Sequence, residues 1–495
     1  MKKRNLVTLL ILLFSQTTRC VITSRCFTYD DCDEYSSQTF MYPRPAVQNL
    51  VVRQTGWHNI IHERAGKALF ATQMTAMYQK SIDFPELPQY FLFGKNCCNT
   101  KNSLLVMGDN VDENQKKYRN VRAEWLGLNE NFSGGLSINP KQKRLAFFIE
   151  GNQSLAQFFD SDFFKGYWID ILLPIVAVEN NISLEQFDVH NAGTNANEPK
   201  DILEAFDQKA WHYGKMDGQR SRAALAEARI TLGGTYLAEN NFQLSYYSFL
   251  TFAAAKKDPA HYLFDTVIGN NGHHGMGAGG NFQIVLNRDN YDYDICFFLD
   301  LEHTFLFRSR QCRIFDLKGK PWSRYLQFNH KDRGPDLLEP GVNVLTLSMR
   351  VHPYSSADFA TGFRIKRGSF ELEIGYNLWG HGDERLEFYP CEGIKEGYGI
   401  AGSLGETTPK TASASTIDTL ADNDASFTEI TENDINFCSG IARSAINHRA
   451  YIALSSSSSG RKVDGMFCAG VFFEFPQLNS ALKTWGLWGK VGAAF

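Results

Sequence analysis

The last fifteen residues, Ala481 to Phe495, put one demand on the fold. Trp485, Leu487, Gly489, Val491, Ala493 and Phe495 share one parity; Thr484, Gly486, Trp488, Lys490, Gly492 and Ala494 share the other. A strand sends these sets to opposite faces. One face is uncharged, mostly apolar and ends on an aromatic; the other carries a lysine and a threonine. The division recurs upstream. Phe370, Leu372, Ile374, Tyr376 and Leu378 oppose Ser369, Glu371, Glu373, Gly375 and Asn377. Two glutamates on a strand otherwise this apolar suit a watery lumen, although one solvated face of a soluble sheet reads nearly the same way.

At 495 residues the chain exceeds an ordinary single domain, unless its strands all belong to one large barrel. The net charge of −4 leaves no general nucleic-acid footprint. A mean hydropathy of −0.30 is too polar for a bundle of membrane helices, yet 38 Phe and 20 Tyr make it rich in aromatics. A transmembrane barrel reconciles the two, because only half of each strand faces lipid. Leu6 to Phe14, preceded by Lys2, Lys3 and Arg4, predicts a secretory signal peptide over residues 1–22; it is too short to span a bilayer. In an exported protein some of the ten cysteines could pair. No CxxC or Cys/His zinc spacing occurs, so no metal site is expected.

Residues 23–66 are aperiodic and predict a periplasmic extension or a lumen plug; 67–495 predict the barrel. Ala68 to Lys80 alternates and is taken as the first strand, and Arg144 to Glu150 and Tyr167 to Val178 as further ones. Between 81 and 142 only short strands are legible. Pro199 to Phe206 has helical spacing within a long loop. From Arg229 onward alternation is regular: Ile230 to Tyr236, Phe242 to Leu250, Phe282 to Leu286, Ile295 to Arg308, and Asn343 to Ile365. The last keeps one parity through His352-Pro353-Tyr354 and reads as a single long strand. Residues 380–444 form a long polar segment, uncommon in a compact soluble domain. Strands at Asn447–Leu454, Met466–Phe475 and the terminus follow.

The terminal strand resembles the closing strand of Gram-negative outer-membrane β-barrels, which end in Phe behind alternating apolar residues. The resemblance implies an all-β fold: an antiparallel up-and-down transmembrane barrel of about 14 strands with long outer loops and short periplasmic turns. It makes Trp485, Leu487, Val491 and Phe495 the barrel-assembly signal, and places the protein in the outer membrane. Working back from a periplasmic Phe495, the turns at 456–464, 366–368, 288–291 and 239–241 fall on one side. The long segments at 380–444, 309–341, 256–279 and 181–226 fall on the other. The partners implied are outer-membrane lipid, the barrel-assembly machinery and small solutes, with no nucleic acid. The strand number and N-terminal extension are also similar in architecture to the long-chain fatty acid transporter family, which plugs its lumen with an N-terminal hatch.

Gly275 to Gly280 fits GxGxxG, but a phosphate cradle needs a strand before it and a helix after it; here a polar loop precedes and a strand follows. His273-His274 beside it suit solvation more than metal binding. No Walker loop, HExxH or GxSxG occurs, so neither catalysis nor a cofactor is expected. The lumen-side candidates are Arg229, Asp300, Glu302, Arg350, Asp358, Arg364, Glu371, Glu373, Arg449 and Lys490. Lining charge and width set what a pore passes; the same charges could simply pair with one another. The function expected is passive diffusion of small solutes. The alternatives are a plugged transporter of hydrophobic compounds and a surface adhesin or structural barrel binding through its outer loops. A soluble all-β protein is the rival to all of these.

Overall fold

The computed structural model describes residues 37–57, 70–93, 102–158, 166–193, 198–239, 241–287, 293–333, 338–389, 393–401, 427–460 and 463–495. The signal peptide expected over 1–22 lies outside them. Twelve strands form the barrel: β1 (Phe70–Ser81), β2 (Lys141–Ser154), β3 (Tyr167–Asn181), β4 (Glu227–Glu239), β5 (Phe242–Ala253), β6 (Gly275–Asn287), β7 (Asp294–Leu306), β8 (Ser356–Arg367), β9 (Phe370–His381), β10 (Ala445–Ser459), β11 (Asp464–Pro476) and β12 (Thr484–Ala494). Each pairs antiparallel with its neighbours in sequence. β12 closes the ring on β1, from Ala71 opposite Ala494 to Ser81 opposite Thr484. Phe70 and Phe495 exchange backbone hydrogen bonds at the seam. A closed ring leaves no unpaired edge.

The direction of the strands sorts the connections. Both ends of the barrel segment, 70 and 495, lie at the end where β4 and β5, β6 and β7, β8 and β9, and β10 and β11 are joined by a few residues each. At the other end lie the long connections 82–140, 182–226, 254–274, 307–355 and 382–444, with one short one, 477–483; the first end also carries 155–166.

The ring has twelve strands rather than about fourteen because two stretches of alternation belong to the loops. Ser103–Met107, Val121–Arg122, Ser133–Ser137 and Glu185–His190 make a separate four-stranded sheet. The run from Asn343 to Ile365 is not one strand. Thr346–His352 pairs with Ser309–Ile314 and Arg385–Phe388 outside the barrel, and β8 begins only at Ser356. Pro353 has no N–H to give a ladder; parity happens to survive the break. The helix expected near Pro199–Phe206 forms as one short turn, Ile202–Ala205, with the Asp201 carboxylate accepting from the Glu204 N–H at 3.0 Å.

Polarity is inverted relative to a water-soluble protein. Phe70, Leu145, Ile171, Leu232, Leu250, Phe305, Phe363, Ile374, Leu454, Val471 and Val491 stand exposed on the outer face. Glu150, Arg229, Glu302, Asp358, Arg364, Glu373, Arg449 and Lys490 are buried on the inner face. A belt of apolar side chains around a ring whose mid-wall charges turn inward, with outward lysines only near its ends, fits hydrocarbon, not water. The glycine motif is part of this wall, in β6, not a loop before a strand. A Cβ at Gly277 would meet the Phe249 ring at 2.2 Å, and one at Gly279 the Tyr247 ring at 2.4 Å. The motif's glycines give aromatics of β5 a place to lie.

The long connections pack into a cap over one mouth. Leu104, Phe132, Phe206, Trp211, Trp322 and Tyr325 share one buried cluster, with the Trp211 and Tyr325 rings stacked at 5.1 Å. Phe315, Leu345, Met349, Ile400 and Ile435 form another.

Ile374 is half exposed on β9, opposite Phe363 and Ile452. Ile374→Arg is expected to destabilise the barrel by about 2–4 kcal/mol. Urea-dependent folding into lipid vesicles measures this; a wild-type midpoint would mean that this face does not meet lipid.

Candidate functional site: a lumen occupied by residues 37–57

The barrel interior holds the chain's own segment 37–57, almost all of it buried. It enters from the cap. Ser37 Oγ donates to Asp316 Oδ2 at 2.8 Å, Thr39 Oγ1 donates to the Ile314 carbonyl at 2.7 Å, and the Gln38 N–H donates to the Tyr90 carbonyl. It ends at the short-connection end, where Trp57 clusters with Ala71, Met466 and Ala494. Between them, α1 (Leu50–Gln54) lays Leu50, Val51 and Val52 against Phe148, Val176, Phe298, Phe472 and Trp488 of the wall.

Charged groups fix the segment at two levels. At the upper level Arg44 donates to Asp358 and Asn377, each at 2.9 Å, and to Glu474 at 2.9 Å. It thus ties three strands, β8, β9 and β11. The Leu50 N–H donates to the same Asp358 carboxylate at 3.0 Å, and Arg144 donates to the Arg44 carbonyl at 2.6 Å. Arg449 bridges Glu474 to Asn49. At the lower level Glu302 receives Arg53 from the segment, Arg229 through two bonds at 2.8 and 2.7 Å, and Tyr247 at 3.1 Å. Thr55 donates to Glu373 at 3.1 Å, and Arg364 donates to the other oxygen at 2.7 Å. Lys490 donates to the carbonyls of Arg53 and Thr55 at 2.6 and 2.9 Å. Buried ions hold only when paired and hydrogen-bonded, and here each side supplies what the other lacks.

Of the ten lumen candidates, nine lie buried on the inner face: Arg229, Asp300, Glu302, Asp358, Arg364, Glu371, Glu373, Arg449 and Lys490. Arg350 does not. It belongs to Thr346–His352 in the cap, with its guanidinium 5.2 Å from the Tyr389 ring; the break at Pro353 removed it from the wall. Arg144, Glu150, Asp170 and Glu474 are buried on the inner face too, and their parity marks them as inward. Arg44 and Arg53, also buried, sit in an aperiodic stretch with no local signal. Trp485, Leu487, Val491 and Phe495 all face outward and are exposed. Among the cysteines, Cys438 is disulfide-bonded, and Cys296 and Cys468 are buried free thiols.

The adjacent histidines differ: His274 is exposed and His273 is not. His273 is buried at the outer mouth, with Nδ1 at 2.7 Å from the Phe307 carbonyl and Nε2 at 2.6 Å from the Gln311 amide. Its neighbour Asn270 receives Tyr42 Oη from the threaded segment at 3.0 Å. Burial pushes the His273 pKa down to about 4. An imidazole that folds neutral adds stability above its ordinary pKa near 6.5, and that stability is lost as pH falls toward 4. In the same loop, burial and then Asp265 push Asp258 up to about 7, which acts in the opposite sense. Comparison with a variant therefore isolates the histidine. Hydrogen exchange in the 266–274 loop, corrected for intrinsic rates, is expected to lose more protection between pH 7 and 4.5 in the wild type than in His273→Gln. Equal losses would contradict this.

No protein-family model matches the sequence, and no curated protein does. Among solved structures, the translocator domain of the autotransporter NalP from Neisseria meningitidis aligns at 7% identity over 91% of this chain and 94% of that one, with a TM-score of 0.31. A FadL homologue from Pseudomonas aeruginosa aligns at 9% identity over 94% and 99%, with 0.27. A TodX deletion mutant, described as a monoaromatic hydrocarbon channel, aligns at 6% over 90% and 93%, with 0.32. At such identities and scores these are likenesses of outline only. Ring closure and inverted polarity stand without them: the chain is a twelve-stranded antiparallel β-barrel of the outer-membrane type, with its own residues 37–57 running the length of the lumen.

Proposed function

We propose that the protein is an outer-membrane channel for small hydrophilic solutes, closed at rest by residues 37–57 acting as a plug. The observation that carries this reading is the pairing of Arg44 and Arg53 with wall carboxylates on separate strands. A barrel that only needed filling would be at least as stable with apolar side chains, since buried ion pairs repay their desolvation poorly. A wall charged on its inner face suits a lumen that holds water at some stage of its work. Such a wall offers a hydrophobic solute nothing in exchange for lost hydration, which favours polar cargo over the greasy cargo of a fatty-acid-type transporter. Selectivity would follow from mixed charges, Arg229, Arg364, Arg449 and Lys490 against Asp300, Glu302, Asp358, Glu371 and Glu373.

In this reading the short-connection end faces the periplasm and the cap faces outward, after export by the signal peptide over 1–22. The outward-facing Trp485, Leu487, Val491 and Phe495 serve the barrel-assembly machinery. A second reading, partner binding at the surface, is favoured by one feature: the long connections fold into a cap with apolar cores of its own. Removal of the 393–427 stretch separates the two, since it would abolish partner binding but leave permeability unchanged.

Planar-bilayer recording tests the proposal. The full chain is expected to stay closed for most of the record. Arg44→Ala/Arg53→Ala, or deletion of 37–57, is expected to give stepwise ohmic conductance. Closed records from variants that still show a heat-modifiable folded band would refute the channel, and a wild type that conducts as freely as the variants would refute the plug. In the same preparation Phe495→Ser is expected to lower the yield of the folded band.

A further inference from the structure

The outer wall carries a second feature, independent of the lumen. Across the seam the outward side chains fall in rows fixed by register. At the long-connection end one row runs Trp485, Lys80, Lys143, Glu179 and Ser221. The next row toward the middle of the barrel runs Leu487, Tyr78, Leu145, Ala177 and Ala223. Ser221 and Ala223 belong to Gln219–Leu225, which lengthens the wall beyond β4 by pairing with the end of β3.

The lower row has large side chains on one side and small ones on the other. Ala177, Ala223, Tyr78 and Leu145 line a hollow of about 400 Å³ in the outer surface, whose lining also includes the charged Lys143, Glu179 and Arg222. The basic row sits at its rim. Lys80 and Lys143 are direct cross-strand partners, a pairing of like charges that costs stability and is relieved on the Lys143 side alone. Glu179 takes Lys143 at 2.6 Å, and Lys141 above is 3.6 Å from Asp83. Among the described residues no carboxylate pairs with Lys80, which is exposed. Lys483 lies at the same rim, its carbonyl accepting from the Ile82 N–H. Four lysines therefore face two carboxylates where the apolar belt ends.

We propose that this hollow seats an acyl chain of a membrane lipid whose phosphorylated headgroup is held by Lys80 and Lys143. The occupant follows from complementarity. Small residues on a lipid-facing wall leave a hollow that a hydrocarbon chain can fill, with Lys143 at its edge and Lys80 beside Lys143 on the neighbouring strand. Lysines near a membrane surface favour anionic lipid. Glu179 already compensates Lys143, so an uncharged headgroup would leave Lys80 without a counter-charge, and a free anion would leave the hollow unfilled.

Delipidated full-length protein in detergent, titrated with dioleoylphosphatidylglycerol or dioleoylphosphatidylcholine and read by native mass spectrometry, tests this. The wild type is expected to retain phosphatidylglycerol in preference to phosphatidylcholine. Lys80→Gln/Lys143→Gln is expected to lower that retention about tenfold or more. Ala177→Leu/Ala223→Leu, which fills the hollow but keeps the charges, is expected to lower it too. All four positions are on the outer surface, and the heat-modifiable band checks that each variant folds. Wild-type retention by the glutamine variant would overturn the proposal. So would displacement of the lipid by equimolar inorganic phosphate with the leucine variant unaffected, which would show an anion site and no seat for a lipid.

Discussion

Hydrocarbon offers the backbone no hydrogen bonds, and the rest of the molecule follows from that. Each N–H and C=O in the wall must find its partner within the protein, which for strands means a closed ring. The bonds between Phe70 and Phe495 matter for this reason: they join the first strand to the last and leave no edge. Closure then fixes the side chains. With a period of two, one parity meets lipid and must be apolar through the middle of the wall, while the other turns inward and receives the buried charges. The inverted polarity of β9, with Ile374 outward and Glu373 inward, is this rule in two adjacent residues.

An inner face so loaded cannot be left dry and unpaired. The wall pairs partly with itself, as Arg364 does with Glu373 and Arg229 with Glu302. Glu302 also takes Arg53, and Asp358 and Glu474 take Arg44. The segment 37–57 is thereby part of the wall's electrostatic balance. Its removal would have to be matched by water, which a lumen lined with ions accepts readily. The cap adds a second hold, since the upper end of the segment is bonded to Asp316 and Ile314 among the outer connections. The segment is thus held at both ends of the lumen.

The parity of the wall was legible in the sequence because it is local: alternation shows in any window of five or more residues. That is why nine of the ten inward candidates lie on the inner face. Arg350 failed for a reason also local in origin, since parity can persist by chance through a proline that ends the strand. The fold of the cap was not legible. Its strands are short, and its clusters join residues as distant as Phe132, Trp211 and Tyr325. Arg44 and Arg53 were hidden too, because a segment that meets the wall on all sides has no single buried face and so no period. His273 shows the limit of composition: two histidines in a glycine-rich stretch suggest solvation, while the structure buries one against Gln311.

A disulfide trap between the segment and the wall would establish where residues 37–57 lie. A Cβ at Gly56 would stand 3.3 Å from the Cβ of the native thiol Cys468 on β11, near the spacing a disulfide requires. Gly56 has φ +74°, so cysteine there carries some backbone strain, but the two sulfurs would be neighbours with no other change to the protein. On mild oxidation of Gly56→Cys in native membranes, the account predicts a 56–468 cross-link, seen as a linked peptide pair on digestion, that forms in most molecules and is lost on reduction. Absence of the link in folded, membrane-embedded protein, with Cys468 still free, would contradict a lumen threaded by this segment.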